Sequence, residues 1–192
     1  KYSIRDVKRD LKRMVLGADK LGIPMTIGSA GTCGSDEGVD MAYKLICEIC
    51  EEAGIHKKIA RIYSQQNAET LKAKYREGKI TALHGAPEIS EKTFDECSTI
   101  VALLGAEAYE EAFKNGADII IGGRSTDTAV MAAYPLMHGC DPASCWHAAK
   151  TVECGGVCTS AGLQGGVFME IDEKGFTIHS VQPGSTVSAY SV

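Results

Sequence analysis

No run of apolar residues in this chain approaches the ~20 needed to span a bilayer, and no charged-then-apolar leader follows Lys1. Neither a membrane-spanning protein nor export through a signal peptide is expected. Cysteine is sparse for a disulfide scaffold: the eight residues make up about 4% of the chain, and several lie in apolar helical stretches. They read as reduced thiols of a cytoplasmic protein. No internal repeat, low-complexity tract or obvious interdomain linker is present. The glycine-rich loops lack both the Gly-x-Gly-x-x-Gly fingerprint and a phosphate-loop lysine. Hydride-cofactor and nucleotide chemistry are therefore without their usual anchors, and a nucleotide-binding regulator ranks last among the readings.

What is present is a globular composition. Hydrophobic residues make up 44% of 192 residues, enough for a single domain over residues 1–192 with a sizeable core. The net charge of −5 is unevenly spread. Residues 1–20 hold seven basic and three acidic side chains, a net of +4, which leaves −9 for the remainder. A nucleic-acid binder would be basic over a whole face, so no nucleic acid is expected. Here the basic residues lie opposite Ile4, Val7, Leu11, Val15 and Ala18, which recur at helical spacing. That describes an amphipathic helix with a solvated basic face, with a partner-binding or membrane-surface helix as the alternative.

Helices are expected over residues 3–21, about 35–52, 66–77, 90–97, 107–114, from near Ser125 to before Pro135, and from Asp141-Pro142 to about Glu153. Gly22, Gly54, Gly78 and Gly116 stand at helix ends. Short apolar strands are expected at residues 23–27, 58–63, 99–104 and 118–121, with a brief strand or extended piece at 80–83. Residues 167–172 and 176–181 read as a hairpin around Glu173-Lys174-Gly175. Strands alternating with helices between residues 23 and 154 define the fold class: α/β, a doubly wound, mostly parallel sheet with helices on both faces, plus a C-terminal antiparallel hairpin. Residues 162–192 are an edge hairpin or the start of a subdomain. Because the chain opens directly on a helix and ends on an extended stretch, it reads as a fragment of a longer protein.

Ligands of open parallel sheets bind beyond the carboxyl ends of the strands. Three turns are candidates for that position. In Ser29-Ala30-Gly31-Thr32-Cys33-Gly34, residues Ser29, Gly31, Thr32 and Gly34 form an anion cradle at a helix start, or a tight turn that needs small residues for packing. In Gly122-Gly123-Arg124-Ser125-Thr126-Asp127, Gly123, Arg124 and Ser125 are substrate-binding candidates, because guanidinium fits a carboxylate or phosphate. Asp127 is a candidate base there, or the partner of a structural Arg–Asp pair. Glu153-Cys154-Gly155-Gly156 supplies Glu153 as a further acid/base candidate. A nucleophilic Cys154 is disfavoured, since a helix C-terminus does not depress a thiol pKa. His84, in the His84-Gly85-Ala86-Pro87 turn, is the third catalytic candidate. Cys47-x-x-Cys50 lies mid-helix and reads as core, and Cys140, Cys145, Cys154 and Cys158 match no zinc spacing, so no metal is expected.

The segment from Gly116-Ala117-Asp118 through Gly122-Gly123-Arg124-Ser125-Thr126-Asp127 resembles the Gly-Ala-Asp…Gly-Arg…Asp segment of the acyclic terpene utilisation (AtuA-type) family. The helix His147 to Gly155, ending in Glu153-Cys154-Gly155, and the Gly105-Ala106-Glu107 turn are similar to segments of the same family. The resemblance spans about residues 20–190. It implies a longer protein with an N-terminal segment and often a small ferredoxin-like C-terminal domain, encoded with enzymes that degrade acyclic terpenes through coenzyme A thioesters. The Ser29-Ala30-Gly31 turn departs from the family's Asn-Ala-Gly, so terpene specificity is not carried over.

The leading expectation is an enzyme of carboxylate or acyl-coenzyme A metabolism, of lyase, hydratase or isomerase type. It would bind a small-molecule anion, with a coenzyme A thioester as one possible substrate, and Asp127, Glu153 or His84 would move a proton. The alternative is a non-catalytic binding or assembly subunit that completes its site with a partner chain. A homo-oligomer is expected.

Overall fold

The computed structural model describes residues 3–162 and 165–192. The chain divides into two compact units, Lys1–Leu104 with Ala117–Ser125, and Gly105–Gly116 with Thr126–Val192.

The first unit contains α1 (Ile4–Leu21), β1 (Met25–Ile27), α2 (Asp36–Ala53), β2 (Ile59–Ile62), α3 (Ala68–Arg76), α4 (Glu91–Glu96) and β3 (Ile119–Gly122). Its helix ends follow the sequence signals. The Ser35 side chain accepts from Gly38 N–H and Asn67 from Thr70 N–H, caps worth about 1 kcal/mol each. Gly22 and Gly54 close α1 and α2 in the left-handed conformation, and Ile23 and Ile55 N–H reach back to Ala18 and Cys50 carbonyls. The strands form one parallel sheet of order β1-β3-β2, in which Met25 and Ile59 both flank Ile119. β3 is central and wholly buried, as its unbroken apolar run requires. Leu11 and Val15 of α1, and Val39, Ala42, Leu45, Ile46 and Ile49 of α2, build a core with Met25, Ile119 and Ile121.

The basic stripe of α1 is not simply solvated. Lys8 bonds Glu48 at 2.8 Å and Glu52 at 2.9 Å, and Lys12 bonds Glu52 at 2.8 Å. The uneven charge of the sequence is thus partly neutralised between α1 and α2. With hydrogen bonds from Lys12 and then Lys8, the Glu52 carboxyl falls to about 2.

Three expectations need correction. Residues 99–104 do not form a buried strand. Ala102 N–H goes to Ser64 O and Leu104 N–H to Arg124 O, so neighbours change within the segment and only single bridges form, at Val101 and Leu104. Leu103 is 64% exposed. Of the brief strand or extended piece expected at residues 80–83, the strand does not form: these residues are mostly exposed and join no ladder. The helix expected to stop before Pro135 runs through it.

That helix belongs to the second unit, which contains α5 (Ala106–Lys114), α6 (Asp127–Met137), α7 (Pro142–Val152), a 3-10 turn (Gly155–Cys158), β4 (Val167–Asp172) and β5 (Gly175–Ser180). An interior proline costs ~3 kcal/mol. Here Pro135 stands in the last turn, where few bonds remain to lose. Tyr134 packs edge-on against Phe113 of α5 at 5.1 Å, and Cys140 N–H bonds Pro135 O. Asp141 caps α7 and Pro142 opens it. β4 and β5 pair in antiparallel from Val167↔Ser180 to Asp172↔Gly175, forming a two-stranded sheet of their own that packs on α7.

Candidate functional site

The carboxyl ends of β1, β2 and β3 are sewn together by backbone. Ser29 and Ala30 N–H donate to Gly123 and Gly122 carbonyls at 3.0 and 3.1 Å. Ser29 Oγ accepts from Ser125 N–H at 3.2 Å. Ser64, at the exit of β2 and 2% exposed, bridges the two glycine-rich turns: its Oγ donates to Gly34 O at 3.1 Å and accepts from Arg124 N–H at 2.7 Å. Arg124 N–H also reaches Gly34 O at 3.1 Å.

Two glycines make this approach possible. A Cβ on Gly34 would lie 2.1 Å from Arg124 N, and one on Gly123 would lie 2.4 Å from Ser64 Oγ. Gly34 also has φ +71°, which side-chain-bearing residues rarely adopt.

With its root fixed in this way, the Arg124 side chain is half-buried, and among the described residues its guanidinium has no hydrogen bond or ion pair. The other arginines are exposed. Arg61, by contrast, is occupied: it pairs with Asp40 at 2.8 Å and lies over the Tyr43 ring at 4.4 Å. A guanidinium keeps its charge at any physiological pH. Partly dehydrated and unpaired, it is suited to a carboxylate or phosphate.

The Ser29–Gly34 turn behaves differently. The N–H groups of Ser29, Ala30, Thr32 and Gly34 are consumed by protein carbonyls. Asp36 and Glu37 occupy the first turn of α2, where they answer the helix dipole and repel a second anion. The exposed Cys33 thiol is held below the usual thiol range, first by the hydroxyl of Ser35 and then by the Ser35 and Cys33 N–H groups. Ser29 (φ +47°) and Thr32 (φ +74°) are the non-glycine residues of positive φ among those described. Both line a cleft of about 450 Å³ at the end of β1, walled by Ile4, Val7 and Leu11 of α1 and Met41 and Ala42 of α2.

His84 stands in an exposed turn of the first unit, and among the described residues no hydrogen bond or ion pair engages its ring. In the second unit, Asp127 is the exposed first residue of α6. Glu153 ends α7 with a carboxylate only 13% exposed and ion-paired to Lys150, whose ammonium pKa this contact raises. Glu153 and Cys154 line a pocket of about 400 Å³ with His147 and Lys150. Cys50 and Cys145 are buried, and burial pushes both thiols up, as expected of core cysteines. Among the described residues no group of three or more His, Cys, Asp or Glu is arranged to hold a metal. No described helix is long and apolar enough to cross a membrane.

Ser64 went unnoticed in the sequence. A single serine after a strand carries no spacing signal, and its partners lie 30 and 60 residues away.

These features define an α/β protein whose polar turns converge at the carboxyl ends of a parallel sheet. The family model described as acyclic terpene utilisation family protein AtuA matches residues 11–188 of the 192, and the chain belongs to that family. Searches of curated proteins and of solved structures found no match.

Proposed function

We propose that the chain serves carboxylate or acyl-coenzyme A metabolism and binds the anionic group of its substrate at Arg124. The observation that carries this reading is the half-buried guanidinium, without a partner among the described residues, on a backbone pinned by Ser64, Gly34 and Leu104. The backbone that carries it is ordered before a ligand binds, so that part of the ordering cost is already met. The chemistry is of lyase, hydratase or isomerase type, with Asp127, Glu153 or His84 as proton carriers. The Glu153 carboxylate is already ion-paired with Lys150, which makes it the most encumbered of the three.

The three-stranded sheet is read as the core of a doubly wound, Rossmann-like arrangement. Support comes from Ile120, fully buried on the face opposite Ile119 and Ile121. Eight unpaired cysteines favour a cytoplasmic location. The second reading is a binding or assembly subunit that completes its site in a homo-oligomer. It is favoured by the exposed apolar side chains of Ile4, Leu21 and Ile23, at 61%, 70% and 52%.

Calorimetric titration with small carboxylates and coenzyme A thioesters tests the first reading. Arg124→Ala should weaken binding roughly 10- to 100-fold, about 1.5–3 kcal/mol, and Arg124→Lys should restore part of it. Undiminished binding by Arg124→Ala would overturn it.

A further inference from the structure

We infer that residues 67–99 form a hinged segment that opens as one piece, with its hinge clamped on the Arg124 backbone, so that an anion held at Arg124 closes it. The inference rests on the reading of Arg124 as the anion site. The segment holds α3, α4 and the chain between them, and it is bonded to itself. Asn67 caps α3 through Thr70 N–H at 3.1 Å. The Tyr75 and Phe94 rings meet edge-on at 5.8 Å, and the Tyr75 hydroxyl donates to Ile89 O at 2.9 Å. Lys72 of α3 pairs with Glu69 and with Asp95 of α4, and Arg76 Nε bonds Glu91 at 2.8 Å. Among the described residues, no hydrogen bond, ion pair or ring contact of residues 67–99 reaches outside the segment. Within it only Lys72 and Phe94 are buried, and residues 81–88 are exposed throughout. Helices of nine and six residues are too short to persist alone in water. Few buried apolar side chains and much exposed backbone mark a segment that opens locally, at a fraction of the global stability.

Both ends of the segment run into one neck. Gln66 N–H donates to Ile100 O at 2.8 Å, Ala102 N–H donates to Ser64 O at 2.9 Å, and Gln65 faces Val101 in an antiparallel bridge. The two strands of the neck then engage the two backbone polar groups of a single residue. Ser64 Oγ accepts from Arg124 N–H at 2.7 Å, and Leu104 N–H donates to Arg124 O at 2.8 Å. Opening of the segment loads the neck first, and the neck is what fixes Arg124. An anion bound by a fixed Arg124 therefore favours the closed state, and by reciprocity its binding closes the segment.

The test is amide hydrogen exchange of the whole chain, read residue by residue, without ligand and with propionate. In the free protein the amides of α3 and α4 should exchange together, roughly tenfold or more faster than those of α2 and β3. Propionate at about ten times its Kd should slow α3 and α4 roughly tenfold, while the β4–β5 hairpin keeps its rates. Arg124→Ala, which keeps the backbone bonds of the neck, should abolish that slowing and leave the free rates unchanged. Phe94→Ala should speed α3 and α4 together, leave α2 protected and raise the propionate Kd; Glu91→Gln, a milder break of the same segment, should act in the same direction. Exchange of α3 and α4 at the rate of α2 and β3 would overturn the inference, and so would slowing that survives Arg124→Ala. Propionate that shifts the Arg124 side-chain signal without slowing α3 and α4 would overturn the hinge and leave the anion site standing. Propionate that moves neither the Arg124 signal nor any amide rate would instead overturn the anion reading, and the closure with it.

Discussion

The two glycine-rich turns at the carboxyl edge of the sheet spend their polar groups in opposite ways. The Ser29–Gly34 turn directs the N–H groups of Ser29, Ala30, Thr32 and Gly34 inward, to the carbonyls of Gly123, Gly122, Ser29 and Ala30, and faces an apolar cleft. The Gly122–Ser125 turn also satisfies its backbone, but projects a guanidinium with no partner among the described residues. Glycine richness alone therefore does not make an anion site. What matters is which polar groups remain after the turns have closed on each other. Here the first turn supplies shape and the second supplies charge.

The largest expected effect comes from breaking the seam between them. Gly34→Ala forces a Cβ to 2.1 Å from Arg124 N and strains a positive φ, and should cost about 3 kcal/mol or more in urea unfolding. A loss under about 1 kcal/mol would mean that the turns are not tightly joined. Ser64→Ala removes the bridge but leaves the Gly34 carbonyl to accept from Arg124 N–H, so a loss of about 1–2 kcal/mol is expected by the same measurement.

The smallest effect lies on the cleft side. Glu52, lowered from 4.5 to about 2 by Lys12 and Lys8, contributes stability that is fully present above about 4.5 and fades as pH falls toward 2. These groups are exposed, so the effect is small and diminishes with salt. An acid titration followed by circular dichroism should show Glu52→Gln losing less stability than the parent in that window. Identical curves would show that the α1–α2 ion pairs do not steady the wall of the cleft.

Much of the fold was legible because its signals are local. Ser35, Asp141-Pro142, Gly22 and Gly54 mark helix ends within a few residues of where their hydrogen bonds form. The all-apolar Ile119-Ile120-Ile121 announced a strand buried on both faces. The misread elements depend on distant partners. Residues 99–104 have strand-like composition, but their bonds are divided between Ser64–Gln66 and Arg124. Pro135 is tolerated because α6 packs on α5. Arg124 stood out in the sequence as a charged side chain after an apolar strand. Ser64, and the internal use of the N–H groups at 29 and 30, were not, because both arise from pairings across 30 to 96 residues; those at 32 and 34 bond Ser29 and Ala30 locally, but only in a left-handed backbone that Ser29 and Thr32 do not announce.

The most direct test is to titrate the isotope-labelled protein with propionate and with inorganic phosphate, following the Arg124 side-chain N–H signal and the backbone amides of residues 29–34 together by nuclear magnetic resonance. A saturable shift at Arg124, with the amides of Ser29, Ala30, Thr32 and Gly34 nearly still, is the predicted result. Saturable movement of those amides with Arg124 unmoved would contradict the account and return the anion to the first turn.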